Sequence, residues 1–408
     1  MTPNAPVASL SNPPKTAEQL FLGVLVIQPS PFCNINCDYC YLPNRTSSRR
    51  MEFSVLEQTM ARVFESGLAG PPFVLLWHAG EPLAVPVSWY EQAFEIINRF
   101  PGAKEKVMHS FQTNGTLIDD RWCEFIKKHD VSIGLSIDGP EFIHDRHRKT
   151  RSGAGTHAKA MRGAAKLKEA GIDFGVVSVI SDFSLDYPDE IYEYFRDLGI
   201  EGVGFNIEEV EGINAESSFD QVDPATAESR VRRFLERVFA RNKGDGFPLR
   251  IREFENAREN ILAPELNRAP DGRYYNLEVD PLAMLNVDCF GNFSTFSPEL
   301  LGQATETYGS FTFGNVAANQ FFEATGVESF QQVLADIESG NRKCAQSCPY
   351  WEHCGGASPS NKYYENGTFD SAETRHCRCM IQMPLDIVLA DLEERLGVSY
   401  GEPPRHAA

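Results

Sequence analysis

Leu22-Gly-Val-Leu-Val-Ile-Gln28-Pro-Ser-Pro-Phe-Cys33-Asn-Ile-Asn-Cys37-Asp-Tyr-Cys40 is the stretch on which the reading of this 408-residue chain turns. A short, β-branched apolar run with the length of a buried strand leads directly into a loop carrying three thiols. The pattern of an apolar run ending in a polar phrase then repeats. Further runs cover Phe73–His78, Val107–Thr113, Ser132–Asp138, Phe174–Ile180 and Val203–Ile207. Their composition suits strands buried on both faces. Helical segments separate them. Ser54-Val-Leu-Glu57 and Ser88-Trp-Tyr-Glu91 have the form of capping boxes, and Gly67 and Gly171 stand where C-terminal caps belong. Six strand–helix units in series imply a parallel sheet with right-handed crossovers, open or curled into a partial barrel. Chemistry in such sheets gathers beyond the carboxyl ends of the strands. The distinctive phrases fall there: Cys33–Cys40 after the first strand, His78-Ala-Gly-Glu-Pro82 after the second and Gln112-Thr-Asn-Gly115 after the third. Ser136-Ile-Asp-Gly139 ends the fourth and Asn206-Ile-Glu-Glu209 the sixth.

The rest of the chain sets bounds on function. Lys and Arg number 38 against 57 Asp and Glu, a net charge of −19, with 42% hydrophobic residues. The acidic balance argues against nucleic acid, whose binding rests on Lys and Arg neutralising phosphates, and would steer in a basic peptide. It equally suits a soluble cytoplasmic surface. The longest apolar stretches, around Phe21–Ile27 and Phe73–Trp77, are far too short to span a membrane. The first twenty residues lack a basic start and an apolar core, so they read as a disordered leader and not a signal peptide. The expected organisation is a barrel over 21–222, connecting helices and a hairpin near Phe290-Gly-Asn-Phe293 over 223–329, and a cysteine-rich module over 330–408.

The ten cysteines are 33, 37, 40, 123, 289, 344, 348, 354, 377 and 379. Seven lie in two tight groups, a spacing that favours metal over disulfides. Three thiolates spaced CxxxCxxC can hold three irons of a [4Fe–4S] cube and leave the fourth open. Zinc would normally take a fourth nearby Cys or His, and none stands close. Cys123 and Cys289 read as buried hydrophobes, and His78 as a satisfied core histidine.

With an aromatic before its third cysteine, this loop after the first strand of a six-unit array resembles that of the radical S-adenosylmethionine (SAM) superfamily. The resemblance implies a partial (β/α)6 barrel, a [4Fe–4S] cluster on Cys33, Cys37 and Cys40, and SAM bound to the open iron. One electron then cleaves SAM to methionine and a hydrogen-abstracting 5′-deoxyadenosyl radical. Tyr39 would lie beside the adenine. His78-Ala-Gly-Glu-Pro82 matches the family's GGEP motif, with Ala79 for its first glycine, and puts Gly80 and Glu81 at the SAM amino group. Asn114, at the third strand end, joins these SAM contacts. Ser136 and Arg148 match the residues holding the SAM carboxylate and ribose, and Val179 an apolar wall of the adenine site.

Cys344-x3-Cys348-x5-Cys354, with Cys377 and Cys379 downstream, resembles the SPASM extension of radical SAM peptide maturases. That likeness implies an auxiliary [4Fe–4S] cluster on Cys344, Cys348, Cys354 and Cys377, with Cys379 an alternative to Cys377. A second auxiliary cluster would need a cysteine where Gly355-Gly-Ala-Ser358 stands, so one is expected. Asp288 lies near where sulfatase maturases carry a catalytic aspartate, although a turn aspartate is the plainer reading. Glu208 and Glu209 end the last barrel strand and are candidates to take a proton or bind a basic side chain. Trp77-His-Ala-Gly-Glu-Pro-Leu83, Phe205-Asn-Ile-Glu-Glu209, Phe293-Ser-Thr-Phe-Ser-Pro-Glu299, and Ser358-Pro-Ser-Asn-Lys362 to Glu373-Thr374 resemble cyclophane-forming maturases paired with glycine-rich precursors. The partners this implies are a ribosomally made precursor peptide and an electron donor of flavodoxin or ferredoxin type. A sulfatase-maturase or thioether-forming activity, or a metal-stabilised binding protein without turnover, are the alternatives.

Overall fold

The computed structural model describes residues 21–268 and 274–397; the leader expected over 1–20 lies outside them. Its centre is a nine-stranded sheet. Strands β1 (Val24–Ile27), β2 (Phe73–Trp77), β3 (Val107–Thr113), β4 (Ser132–Ser136), β5 (Gly175–Ile180) and β6 (Gly202–Ile207) run parallel in sequence order. Helices α1 (Phe53–Glu65), α2 (Val87–Ile97), α3 (Asp120–His129), α4 (Glu141–His147), α5 (His157–Glu169) and α6 (Pro188–Leu198) provide the crossovers. The six strand–helix units are thus present, and β1 and β6 do not pair, so the array stays open.

One reason for the opening lies downstream. After α7 (Pro224–Gly244) and α8 (Arg252–Leu262), β7 (Met284–Val287) pairs in parallel with β1, and β8 (Asn292–Thr295) turns back on β7. The hairpin expected around Phe290 therefore occupies the edge of β1. Strand β11 (Gly314–Asn315) adds to β8, and a separate two-stranded ribbon joins β9 (Ala304–Thr305) to β10 (Gly309–Ser310). Helices α9 (Glu328–Ser347), α10 (Pro359–Asn366) and α11 (Met383–Leu396) complete the cysteine-rich segment, α11 packing on α8 and α7.

Two sequence expectations need correction. Residues of β2 and β5 alternate between fully buried and half-buried. One face packs under the helices, while the other carries the half-buried Gln112, Ser136 and Val179. The capping boxes also fail. Helix α1 begins at Phe53 and α2 at Val87, which makes Ser54 and Ser88 second helical residues, and neither helix has a side-chain cap. A hydroxyl at the second helical residue stands two positions beyond the cap, too late to accept from the first-turn amides. The C-terminal signals hold: Gly67 (φ +78°) and Gly171 (φ +68°) adopt the left-handed conformation that closes helices.

Candidate active site

The strand-end phrases meet at one end of the sheet. The loop after β1 carries Cys33, Cys37 and Cys40, and all ten cysteines are free thiols. Burial pushes the Cys33 thiol up to about 12, with Glu81 and the other two cysteines adding to the shift. Burial likewise raises Cys37 to about 11, against the pull of Arg148. Deprotonating such thiols requires positive charge nearby, which metal ligation supplies. Three thiols on one short loop, with no fourth Cys or His beside them in the sequence, suit three irons of a cube better than the closed four-ligand set of a structural zinc.

The turn after β2 is fitted against that loop. The Glu81 amide donates to the Phe32 carbonyl at 2.7 Å. Gly80 has φ +111°, and a Cβ there would stand 2.4 Å from the Ser30 carbonyl and 2.9 Å from that of Phe32, so only glycine allows the approach. Ala79 also has positive φ, +65°, where the matching motif has glycine. The Glu81 carboxylate accepts from Thr113 Oγ1 (2.6 Å), the Leu83 amide (2.9 Å) and the Asn114 amide (2.9 Å), tying β2 to β3. Its burial nonetheless raises its pKa to about 7, moderated by these donors. Asn114 reaches back to the thiol loop, its Nδ2 donating to Asn34 Oδ1 at 2.9 Å with Cys33 Sγ 3.9 Å away.

Asp138, at the end of β4, organises the other half of the site. It is 1% exposed and receives both arms of Arg148, at 3.0 Å each, together with the Val179 amide and the Tyr39 hydroxyl. Burial alone would raise this carboxyl, but Arg148 holds it below the usual range. The Arg148 guanidinium lies 5.4 Å from the centre of the Tyr39 ring and extends Nη1 to within 4.0 Å of Cys37 Sγ. Ser136 Oγ accepts from Gln112 Nε2 at 2.9 Å. Tyr39, Arg148 and Val179 thus share one hub that sequence reasoning did not single out. The available signal was the acid within Ser136-Ile-Asp-Gly139.

The second thiol group comes together from α9, the turn after it and the start of the last helical segment. Cys344 and Cys348 both act on Cys354, and Cys354 acts on Cys377, whose thiol burial raises to about 11. Cys379 is fully buried within the apolar core, and burial pushes its thiol up to about 12, with Glu228 adding to the shift. Between this group and the end of β6 lies an acidic face. Glu209 pairs with His376 Nδ1 and accepts from Asn361 Nδ2 at 3.0 Å. Burial pushes Glu278 up, Glu299 to about 7 and Glu211 well above the ordinary range, reinforced by their mutual repulsion. Burial would lower His376, yet Glu209 raises it overall.

The remaining candidates separate from that face. Glu208 is buried, its carboxylate held by the Ser218 hydroxyl and amide. Asp288 accepts from the amides of Phe290 (2.8 Å) and Asn292 (2.9 Å) and from Asn292 Nδ2 (2.9 Å), bonds that shape the β7–β8 turn. Cys123 and Cys289 are buried in the apolar core. His78 is lowered to about 4 by burial, with Nε2 3.3 Å from the Tyr41 hydroxyl.

Comparison with known proteins accords with this geometry. Residues 27–198 match the family model of the radical SAM superfamily. An uncharacterised protein of Synechocystis is 43% identical over 383 residues, covering 92% of this chain and 94% of that protein. The serine-type anaerobic sulfatase-maturating enzyme of Bacteroides thetaiotaomicron is 32% identical over 190 residues, 45% of each chain. The fold is shared with anSMEcpe, solved with AdoMet and the Cp18Cys peptide: TM-score 0.73 at 21% identity, covering 92% of this chain and 98% of that one. Streptococcus suis SuiB bound to the precursor peptide SuiA gives 0.60 at 17% identity, covering 88% and 76%. Residues 27–198 thus form a radical SAM domain, of a family whose members use a [4Fe–4S] cluster and SAM. No helix among the described residues is long and apolar enough to cross a membrane.

Proposed function

We propose that this enzyme is a peptide maturase that joins an aromatic ring carbon to the β-carbon of a nearby residue in a ribosomally made precursor, forming a cyclophane. The observation that carries the reading is the second thiol group, Cys344, Cys348, Cys354 and Cys377, next to the acidic face of Glu209 and His376. A reaction that forms a carbon–carbon bond to an aromatic ring must remove one electron and one proton after the bond forms. Thiols for an electron acceptor and carboxylates for a proton acceptor meet that need in one region.

On this reading Cys33, Cys37 and Cys40 hold the SAM-binding cluster, and Tyr39, Gly80, Glu81, Asn114, Ser136, Arg148 and Val179 line the SAM site. When bound, the cluster and SAM supply a carbon radical strong enough to take an unactivated hydrogen, which no side chain can do. The chain's own residues orient and bind. Asp138 fixes the Arg148 guanidinium, and Gly80 lets the turn after β2 approach the thiol loop. Cys344, Cys348, Cys354 and Cys377 hold one auxiliary cluster. Among the candidate acids Glu209 is the one whose carboxylate faces the second thiol group, paired with His376 beside Cys377, whereas Ser218 holds Glu208 and turn amides hold Asp288; Glu209 is therefore the candidate for the ring proton. The solved neighbours anSMEcpe and SuiB were captured with peptides, which supports a peptide substrate here. A flavodoxin- or ferredoxin-type protein would supply the electron.

The test uses a glycine-rich precursor carrying aromatic three-residue motifs, deuterated at the β-carbon. The product should be lighter by two hydrogens, with one SAM consumed per cross-link and the label in 5′-deoxyadenosine. Label arriving from an α-carbon would favour thioether formation, and an aldehyde product would favour sulfatase-type maturation. Either outcome overturns the cyclophane reading.

A further inference from the structure

Lys362 lies in α10, eight residues beyond Cys354, and is 1% exposed. A lysine is almost never fully buried without a partner of opposite charge, because desolvating the ammonium costs several kcal/mol, about as much as a good ion pair returns. Among the described residues its ammonium donates to Asn341 Oδ1 at 3.1 Å and to Cys344 Sγ at 3.4 Å. The amide oxygen is neutral, so the sulfur is the one atom of this pair able to carry the counter-charge. A thiolate bound to an iron–sulfur cluster would carry it permanently.

The surroundings hold the lysine in that position. Asn341 and Cys344 lie one turn apart on α9, so the amine bridges two side chains of the same helical face. Gly356, with φ +109°, passes so close to Asn341 that a Cβ would stand 2.2 Å from its Oδ1. The Gly-Gly step after Cys354 thereby leaves room for the asparagine that orients the lysine.

We infer that Lys362 is a positioning residue that raises the reduction potential of the auxiliary cluster through its charge and its hydrogen bond to Cys344. Reduction by one electron adds a negative charge to the cluster. A buried cation 3.4 Å from a ligand sulfur stabilises that added charge more than the oxidised level. The cluster then becomes the stronger one-electron acceptor. The inference rests on the proposal that Cys344 ligates an auxiliary cluster, and the experiment separates the two.

Full-length protein with Cys33, Cys37 and Cys40 replaced by Ala isolates the auxiliary cluster. After anaerobic reconstitution its iron content is measured, and its midpoint potential is read by dithionite titration with EPR detection. About four irons per chain, one cube, are expected in this background; their absence would overturn the auxiliary-cluster proposal itself. With the cluster present, Lys362→Met should move the midpoint to a more negative value, and Lys362→Arg should restore much of it. Asn341→Asp keeps the lysine but neutralises its field, so it should shift the midpoint in the same direction. That variant also decides the matter if Lys362→Met assembles no cluster. Unchanged midpoints in the variants that assemble would overturn the inference and leave the cluster assignment standing.

Discussion

Replacing Asp138 by Asn is the perturbation that most sharply tests how the SAM half of the site is held. The side chain keeps its size but loses its charge, and one oxygen becomes an NH2 facing the Arg148 guanidinium. The pair is buried on both sides, 1% and 7% exposed, with two bonds of 3.0 Å. Breaking one partner of such a pair typically costs ~3–5 kcal/mol, because the remaining charge stays buried without compensation. The surviving amide oxygen keeps one bond, so the lower end, ~3 kcal/mol, is the expected loss in denaturant unfolding. If half of that loss is felt at the proposed contact of Arg148 with SAM, affinity falls about tenfold, at ~1.4 kcal/mol per decade. Equilibrium dialysis of SAM against reconstituted protein reads the second quantity. Because the two residues act as a unit, Asp138→Asn and Arg148→Met should be strongly non-additive, with a coupling of ~2 kcal/mol in the double variant. Additive effects, or a Asp138→Asn protein with unchanged SAM affinity, would refute the hub.

Three further outcomes follow from the same contacts. Gly80→Ala should abolish SAM cleavage and cost ~2 kcal/mol or more, since its Cβ would strike two carbonyls at a φ that alanine resists; normal turnover would contradict the close approach. Cys377→Ala should reduce the iron content from about eight to about four per chain, whereas Cys379→Ala should retain about eight; the reverse result would exchange their roles. Burial lowers His109 to about 3, well below the ~6.5 of an unfolded histidine. The unfolded chain therefore takes up the extra proton as pH falls, and this residue's contribution to stability declines below about pH 6.5. His109→Phe should lose the bond from Trp77 at pH 7, yet its stability relative to the native protein should improve by ~1 kcal/mol between pH 7 and 5.5. Parallel stability curves would contradict a neutral His109 in the folded chain.

Much of the sheet is legible in the sequence because each core strand is a short apolar run with a polar phrase at its carboxyl end. Val107–Thr113 matches its strand end to end, and the other five runs differ from theirs by one to three residues in total. The helix starts are less legible. Ser54 and Ser88 carry the right chemistry, but Phe53 and Val87 already lie in the helices, where packing and not capping sets the boundary. Half-burial of one strand face has no signature in residues such as Val179, which are apolar whichever way they point. At the site, thiol spacing marks the groups, but the choice between Cys377 and Cys379 depends on which way each points from one helical segment. Asp138 sits in plain view in a quoted phrase, yet its role depends on Arg148 and Tyr39 arriving from elsewhere in the chain. Lys362 is equally silent, because only tertiary burial distinguishes it from a surface lysine.

The account rests on Cys33, Cys37 and Cys40 forming a centre that cleaves SAM reductively. Its most direct test is anaerobic incubation of the reconstituted enzyme with SAM and dithionite, with 5′-deoxyadenosine and methionine measured by chromatography. The wild-type chain should release both in equal amounts. The Cys33, Cys37 and Cys40 to Ala protein should release neither, while Cys348→Ala should retain some cleavage without forming cross-linked product. Equal release from the wild type and the triple variant, or none from a wild type carrying its full complement of iron, would contradict the account.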